Sequence, residues 1–179
     1  LYNGIDEKFL GLYSKEEKKS KRKKILKTNE DNFILISVAN LVPYKDYYSV
    51  ISALRILRDL GYKFHYLILG DGPMKKQIEK RIIEYGPKDY IMMYGYVNNI
   101  EKYLKIADIF IHSSKGEGCS NGILEAMAAG LPIIASNTGG TSEIVTEQNA
   151  FLFEYMNYKD LLSKLKFCMD HSQYCKQMG

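Results

Sequence analysis

Short apolar runs alternate with amphipathic stretches along the chain from residue 33 to residue 170. In the amphipathic stretches apolar side chains recur every three or four residues, which predicts helices, whereas the apolar runs have the length of buried strands. The predicted strands are 33–39, 64–70, 90–95, 109–113, 132–136 and 150–154. The predicted helices are 46–61, 74–86, 100–107, 121–129 and 158–170, with a short helical turn from Thr141.

Strand and helix alternate six times, a pattern typical of parallel βαβ units with helices on both faces of the sheet. The predicted strands are apolar throughout rather than alternating, because both faces of such a sheet are covered. The sequence therefore predicts an α/β fold with a doubly wound, mostly parallel, six-stranded Rossmann-like sheet. Ligands of such folds bind beyond the carboxyl ends of the strands, so the site is expected in the loops that follow them.

The net charge of +4 comes from one segment rather than from the whole surface. Residues 15–30 hold eight Lys or Arg against three Glu, and the remainder of the chain is close to neutral. A uniformly basic surface for nucleic acid is therefore not expected. The segment is interpreted as a solvated loop or an exposed helix, and contact with anionic lipid or a polyanionic acceptor is the alternative.

The cysteines and histidines argue against a disulfide scaffold and a metal site. Cys119, Cys168 and Cys175 are an odd number of thiols without a CxxC pair, which is typical of a reducing compartment. The histidines lack metal-binding spacing, and no DxD sequence occurs. No apolar run approaches the roughly 18 residues of a membrane span. We expect a cytoplasmic protein without a metal or other cofactor, with a peripheral position at the inner membrane face as the alternative.

The most informative stretch is GEGCSNGILEAMAAG, residues 116–130. It places Glu117 in a glycine-flanked loop and Glu125 about one turn into the helix that the loop opens. Carboxylates accept hydrogen bonds from hydroxyls, and the N–H groups of a helix N-terminus attract phosphate. A ligand that carries both sugar hydroxyls and phosphate would suit this arrangement.

The common nucleotide and hydrolase motifs of this fold class are absent. The dinucleotide motif G-x-G-x-x-G fails at Gly70-Asp71-Gly72, because no third glycine follows and because the turn comes after the second predicted strand. Neither a P-loop nor a G-x-S-x-G elbow occurs. These negatives remove the commonest alternative functions.

Four segments resemble, in the expected order, the C-terminal nucleotide-sugar-binding domain of GT-B retaining glycosyltransferases, in the group called family 4 or group 1. They are VANLVPYKD (38–46), LILGDGP (67–73), YGYVNN (94–99) and residues 113–140, which carry the family's E-x7-E as Glu117 and Glu125. The last segment is highly specific, and together the four span nearly all of residues 33–153. The resemblance implies one half of a GT-B fold.

The resemblance also implies a donor site. Glu117 would hold hydroxyls of the donor sugar, and Lys45 would neutralise charge on the departing diphosphate. Glu125 would accept hydrogen bonds from the ribose hydroxyls, while main-chain groups near Gly95 and Tyr96 would pair with the base. The other substrate-binding residues that the resemblance implies are Asn40, Gly70, Asp71, Gly118, Cys119, Ser120, Asn121 and Gly122.

What the resemblance implies about function is a hexosyltransferase. It would move a hexose or N-acetylhexosamine from a nucleoside diphosphate sugar, with UDP favoured, to a glycan or lipid-linked acceptor without a metal. One departure is that Asn40 stands where the family has a paired arginine. Two other functions stay open: a GT-B-like UDP-sugar epimerase, and a non-catalytic nucleotide- or partner-binding module, which Asn40 favours.

The first residues, LYNGID, resemble the segment that joins this domain to an N-terminal acceptor domain. We therefore expect residues 1–32 to be a linker from that missing domain, or an element that docks elsewhere, and residues 33–179 to be the donor-binding domain. The 179 residues alone are expected to be monomeric, to bind nucleotide sugar weakly and not to transfer sugar.

Overall fold

The computed structural model of the chain describes residues 6–27, 32–86, 88–116, 120–147 and 149–179. The strands are β1 (Phe33–Val38), β2 (Phe64–Leu69), β3 (Ile91–Gly95), β4 (Ile109–His112), β5 (Ile133–Ser136) and β6 (Ala150–Phe153). They form one parallel sheet in the order β3-β2-β1-β4-β5-β6. The predicted six-stranded Rossmann-like sheet is confirmed, and every strand end lies within one residue of its predicted position.

The helices are α1 (Lys15–Leu26), α2 (Tyr47–Asp59), α3 (Lys75–Tyr85), α4 (Ile100–Leu104), α5 (Asn121–Ala128), α6 (Thr141–Ile144), α7 (Tyr158–Asp170) and α8 (Ser172–Lys176). Two 3-10 helices cover Glu7–Phe9 and Pro43–Lys45. The helix predicted over 100–107 ends at Leu104, and in the turn that follows the Ala107 N–H is shared between the carbonyls of Leu104 at 3.0 Å and Tyr103 at 3.2 Å. The short helix α8 has no counterpart among the predicted elements.

Each strand buries side chains on both faces of the sheet, which explains its uninterrupted apolar sequence. In β1, Leu35 packs into the layer under α2, α3 and α7, whereas Ile34 and Ile36 pack into the opposite layer with α4 and α5. The three side chains are fully buried. The sheet is therefore a central partition between two apolar layers, as expected for a doubly wound fold.

The segment before the first strand packs against the domain. Phe9 and Leu26 are buried in the same apolar layer as α5. Helix α1 begins with a capping box, in which the Ser14 hydroxyl accepts from the Glu17 N–H at 3.2 Å and the Glu17 carboxylate accepts from the Ser14 N–H at 2.9 Å. The charged segment is thus a helix with one exposed face and one packed face.

An ion cluster attaches α1 to the end of the sheet. The Asp108 carboxylate contacts Arg22 Nη2 at 2.6 Å and Lys18 Nζ at 3.1 Å, and it accepts the Ile34 N–H at 2.9 Å. Only 10 % of the Asp108 side chain is exposed. Burial lowers the pKa of Lys18, while the nearby Asp108 charge opposes that shift. Asp108 therefore joins the basic helix to the first strand.

Replacing Asp108 with alanine should lower the free energy of unfolding by about 3 kcal/mol, because two half-buried cations lose their counter-charge. Urea denaturation of the variant and the parent chain measures the change. The matched control is Asp59→Ala, since Asp59 pairs with Arg58 at the exposed end of α2 and should cost less than about 1 kcal/mol. Equal losses in the two variants would contradict the anchoring role of Asp108.

Candidate functional site

A cleft of about 640 Å³ opens at the carboxyl edge of the sheet. It lies beside the point where the strand order reverses, between the neighbouring strands β1 and β4. The loops after β1, β2, β3 and β4 and the first turn of α5 form its walls. Doubly wound folds bind ligands at this switch point, because the loops after the two neighbouring strands lead to opposite faces of the sheet and leave a crevice between them.

Eight of the residues that the sequence singled out meet in this cleft. They are Asn40, Lys45, Gly70, Tyr96, Ser120, Asn121, Gly122 and Glu125. Glu117, Gly118 and Cys119 lie outside the described residues, although Gly116 and Ser120 on either side of them both line the cleft.

Two predicted substrate-binding residues lie at the same edge of the sheet without lining the cleft. The Asp71 carboxylate accepts the Gly72 N–H at 2.8 Å and pairs with Lys75 Nζ at 3.1 Å, so it holds the turn after β2. The Gly95 carbonyl accepts the Gly70 N–H at 2.8 Å and so joins the ends of β2 and β3. Both residues therefore support the loops that form the wall of the cleft, without contributing to its surface.

Close backbone contacts between loops shape the cleft. A Cβ atom at Gly122, in the first turn of α5, would lie 2.9 Å from the Val38 carbonyl oxygen at the end of β1. A Cβ atom at Gly70, whose φ is 141°, would lie 1.9 Å from the Ala39 carbonyl oxygen. Only glycine permits these approaches, so the turn after β2 and the start of α5 both press against the end of β1.

Lys45 is a buried cation at the edge of the cleft. It ends the 3-10 helix Pro43–Lys45, and 5 % of the residue is exposed. Its carbonyl accepts a hydrogen bond from the Ser113 hydroxyl at 2.6 Å, which ties the loop after β1 to the loop after β4. The Lys45 ammonium group lies 5.9 Å from the centroid of the Tyr44 ring, and a cation that lines the cleft attracts an anion bound there.

The N-terminal end of α5, which carries the positive end of the helix dipole, faces the cleft. The helix begins after the buried Ser120, whose side chain makes no capping hydrogen bond, and Ser120, Asn121 and Gly122 line the cleft. The aligned peptide dipoles of a helix leave a partial positive charge at this end, which attracts phosphate.

Glu125 lies one turn farther along α5 and also lines the cleft. It is half-buried, and this burial raises the pKa of its carboxyl, while the charge of Lys8 acts in the opposite direction. The site thus has a positive region, around Lys45 and the helix end, and a carboxyl group that can accept hydrogen bonds from hydroxyls.

Buried hydroxyls fix the loop between β4 and the cleft. The Ser136 hydroxyl accepts the Ser114 N–H at 2.9 Å and donates to the Ser114 carbonyl at 2.7 Å. The Thr138 hydroxyl donates to the same carbonyl at 2.6 Å, and the Lys115 N–H donates to the Tyr44 carbonyl at 2.9 Å. The loop that precedes Gly116 is therefore held from two sides.

Sequence reasoning missed several residues of the cleft. Tyr44, Val97 and Ile100 supply apolar and aromatic surface to its walls, and Tyr44 is 44 % exposed. Their positions in the sequence, just after β1 and β3, are a signal that could have identified them as cleft residues, because loops at the carboxyl edge of the sheet line the crevice.

The described residues form neither a metal-binding cluster nor a membrane-spanning helix. Within the part of the chain that the structure describes, no group of three or more His, Cys, Asp and Glu side chains could hold a metal ion. Across those same ranges no helix has the length and apolar character needed to cross a membrane. The expectation of a metal-independent reaction remains a prediction.

Comparisons with known proteins agree on one family. The family described as "Glycosyl transferases group 1" matches residues 18–179. The UDP-Gal:alpha-D-GlcNAc-diphosphoundecaprenol alpha-1,3-galactosyltransferase of Escherichia coli is 30% identical over 168 residues, which cover 91% of this chain and 43% of that protein. Of two curated relatives, the chain covers 40% and 43% of the length, which is less than half of each protein.

Solved structures share the fold. The UDP-glucose complex of Anabaena Alr3699/HepE matches with a TM-score of 0.87 and 24% identity, over 99% of this chain and 49% of that one. The C-terminal domain of the group 1 family protein LpcC from Francisella tularensis matches with a TM-score of 0.80 and 22% identity, over 98% and 92%. With the family match over residues 18–179, these findings establish that the chain belongs to the glycosyl transferases group 1 and has one half of a GT-B fold.

Proposed function

We propose that this chain is the donor-binding half of a retaining glycosyltransferase. The intact enzyme transfers a hexose or N-acetylhexosamine from a nucleoside diphosphate sugar, with UDP as the favoured nucleotide, to a glycan or a lipid-linked acceptor. The observation that carries the proposal is that a buried lysine, the positive end of α5 and a glutamate on that helix share one cleft at the strand-order reversal.

The chemistry of the cleft matches the parts of such a donor. The diphosphate lies against the first turn of α5 and close to Lys45, whose charge stabilises the negative charge that builds as the glycosidic bond breaks. Glu125 accepts hydrogen bonds from the two ribose hydroxyls. Glu117, which lies outside the described residues, takes the hydroxyls of the sugar, as the family resemblance implies.

The nucleoside base is assigned to the wall formed by the loop after β3. Tyr96 is 79 % exposed at the mouth of the cleft, and Val97 and Ile100 line the wall beside it. Asn40, which also lines the cleft, donates a hydrogen bond to the diphosphate where related enzymes supply a second positive charge. Among the described residues that line the cleft, Lys45 is then the basic side chain that balances the charge of the leaving diphosphate.

Relatives and structural neighbours support the choice of ligand. The E. coli relative is named as using UDP-Gal and a diphosphoundecaprenol acceptor, and Anabaena Alr3699/HepE was crystallised with UDP-glucose. Because the chain spans less than half of such proteins, we assign the acceptor groove to residues beyond these 179. We also propose that retention of configuration requires both halves, so that this chain alone does not transfer sugar.

Titration with UDP, GDP and ADP by calorimetry tests the donor site. We expect saturable binding of UDP, and we expect Glu125→Ala to weaken it at least about tenfold because the ribose hydroxyls lose a charged acceptor. The matched control is Glu84→Ala, which removes an exposed glutamate that pairs with Lys80 on α3.

The outcomes of this titration separate the competing functions. Binding that Glu125→Ala leaves unchanged would contradict the ribose assignment. Failure of all three nucleotides to bind would favour a non-catalytic partner-binding module, and formation of an epimerised UDP-sugar by the full-length protein would favour the epimerase.

Binding of the nucleotide should depend on pH through Glu125. Burial raises the pKa of this carboxyl, so it takes up a proton at a higher pH than an exposed glutamate does. The protonated group is a weaker acceptor, so affinity should fall as the pH is lowered from 7 through that raised pKa. Glu125→Gln removes this titration and leaves that of the phosphate, whose second pKa is about 6. Parallel pH profiles of the two proteins would contradict the role of Glu125.

We further propose that the exposed face of α1 contacts anionic lipid. Lys18 and Arg22 point toward Asp108, whereas the other lysines of the helix are exposed or half-exposed around the outer face. Just before the helix, Leu10 and Leu12 are 57 % and 73 % exposed. Basic side chains near an anionic bilayer gain about 1 kcal/mol each, and exposed leucines add apolar area.

Replacing Lys15, Lys19, Lys23 and Lys24 with glutamine should weaken binding to vesicles that contain anionic lipid by at least about tenfold, and should leave nucleotide binding unchanged. Vesicle sedimentation measures the first effect and calorimetry the second. The control replaces Lys63, Lys76, Lys88 and Lys159, which are exposed elsewhere, and so makes the same change in net charge. Equal loss in both variants would mean that net charge, rather than α1, attracts the lipid.

A further inference from the structure

A second cleft lies away from the donor site, between α2, α3 and the start of α7. It has a volume of about 240 Å³ and shares no lining residue with the donor cleft. Two arginines and three hydroxyl-bearing side chains surround it, together with Ile56. These polar residues are Arg55, Arg81, Ser52, Tyr85 and Tyr158.

Aromatic rings hold the Arg81 guanidinium in one orientation. Its central carbon lies 4.1 Å from the centroid of the Tyr85 ring and 5.3 Å from that of the Tyr48 ring. Its Nη2 atom donates to the Ser52 hydroxyl at 3.3 Å. The Ser52 hydroxyl in turn donates to the Tyr48 carbonyl at 2.8 Å. A guanidinium fixed in this way loses little freedom when it binds a planar or tetrahedral oxyanion through two N–H groups.

Among the residues that the structure describes, no carboxylate pairs with the two arginines of this cleft. Neither Arg55 nor Arg81 forms a salt bridge in those ranges. By contrast, Arg58, on the same helix as Arg55, pairs with Asp59. Lys80, next to Arg81, pairs with Glu84 at 3.6 Å. The Nε atom of Arg81 is buried and has no hydrogen-bond partner in those ranges. A buried donor without an acceptor costs free energy, which an incoming oxygen atom would recover.

We propose that this cleft binds an oxyanion, a phosphate or carboxylate group, carried by a saccharide or a phosphorylated metabolite. Arg81 and Arg55 bind the anionic oxygens, and the Ser52 and Tyr158 hydroxyls offer further hydrogen bonds. The rings of Tyr48 and Tyr85 are 40 % and 43 % exposed, and they provide apolar area for the ring of the molecule that bears the anion. The site does not depend on the proposed donor function, because the two clefts are separate.

Amide-resolved NMR of the 179-residue chain tests this site, with inorganic phosphate in one titration and trigalacturonic acid in another. We expect saturable shifts at residues 52–56 and 81–85 with at least one probe. Shifts with phosphate alone indicate a phosphorylated ligand, and shifts with the uronic acid alone indicate an acidic glycan. Any phosphate bound in the donor cleft is distinguished by its own shifts at residues 120–125. If neither probe shifts the amides of 52–56 and 81–85, the proposal is wrong.

Two double variants distinguish specific binding of the anion by Arg55 and Arg81 from non-specific electrostatic attraction to the surface. Arg55→Gln with Arg81→Lys removes one charge and the guanidinium forks, and it should raise the apparent dissociation constant at residues 52–56 and 81–85 by at least about tenfold. Arg58→Gln with Lys80→Arg makes the same change in net charge on the same two helices and should alter it by less than about twofold. If the double variant unfolds, the single variant Arg55→Gln, at an exposed residue, is titrated in its place. Unchanged affinity in the first variant would overturn the proposal.

Discussion

The close approach of three backbone segments at the end of β1 is the constraint on which the rest of this structure depends. Gly122 leaves no room for a side chain against the Val38 carbonyl, and Gly70 leaves none against that of Ala39. These contacts bring α5 and the turn after β2 to the point where the strand order reverses. The cleft exists because the loops from β1 and β4 diverge there and lead to helices on opposite faces of the sheet.

Buried hydrogen bonds make that arrangement rigid. The Ser113 hydroxyl donates to the Lys45 carbonyl, and Ser136 and Thr138 hold the backbone of Ser114. The Ser114 carbonyl accepts from both Ser136 and Thr138, and the Ser136 hydroxyl also accepts the Ser114 N–H, so these buried backbone groups have partners. Because these bonds connect the loops after β1, β4 and β5, the lysine and the start of α5 keep fixed positions on either side of the cleft. A preorganised set of charges stabilises a departing diphosphate without reorganisation at the moment of reaction.

The strands and most helices could be predicted because they depend on local periodicity. The apolar runs form a sheet that is covered on both faces, and Gly70 marks the turn after β2, where only glycine fits against the Ala39 carbonyl. The position of Glu125 one turn into a helix likewise follows from spacing alone.

Features that depend on distant partners could not be predicted in the same way. The lysine-rich segment reads as solvated, yet Lys18 and Arg22 meet Asp108, which lies about 90 positions away in sequence. The side chain of Asp71 turns back onto Lys75 and the Gly72 amide rather than into the cleft, a choice that spacing does not reveal. The second cleft brings together residues of three helices, and only their packing places Arg55 beside Arg81.

The most direct test of the central claim is a crystal structure of the chain grown with UDP-glucose. The account predicts the diphosphate against the amides of Asn121 and Gly122 within reach of Lys45, and the ribose hydroxyls on the Glu125 carboxylate. A nucleotide bound with its ribose turned away from Glu125, or bound outside the cleft at the strand-order reversal, would contradict the account.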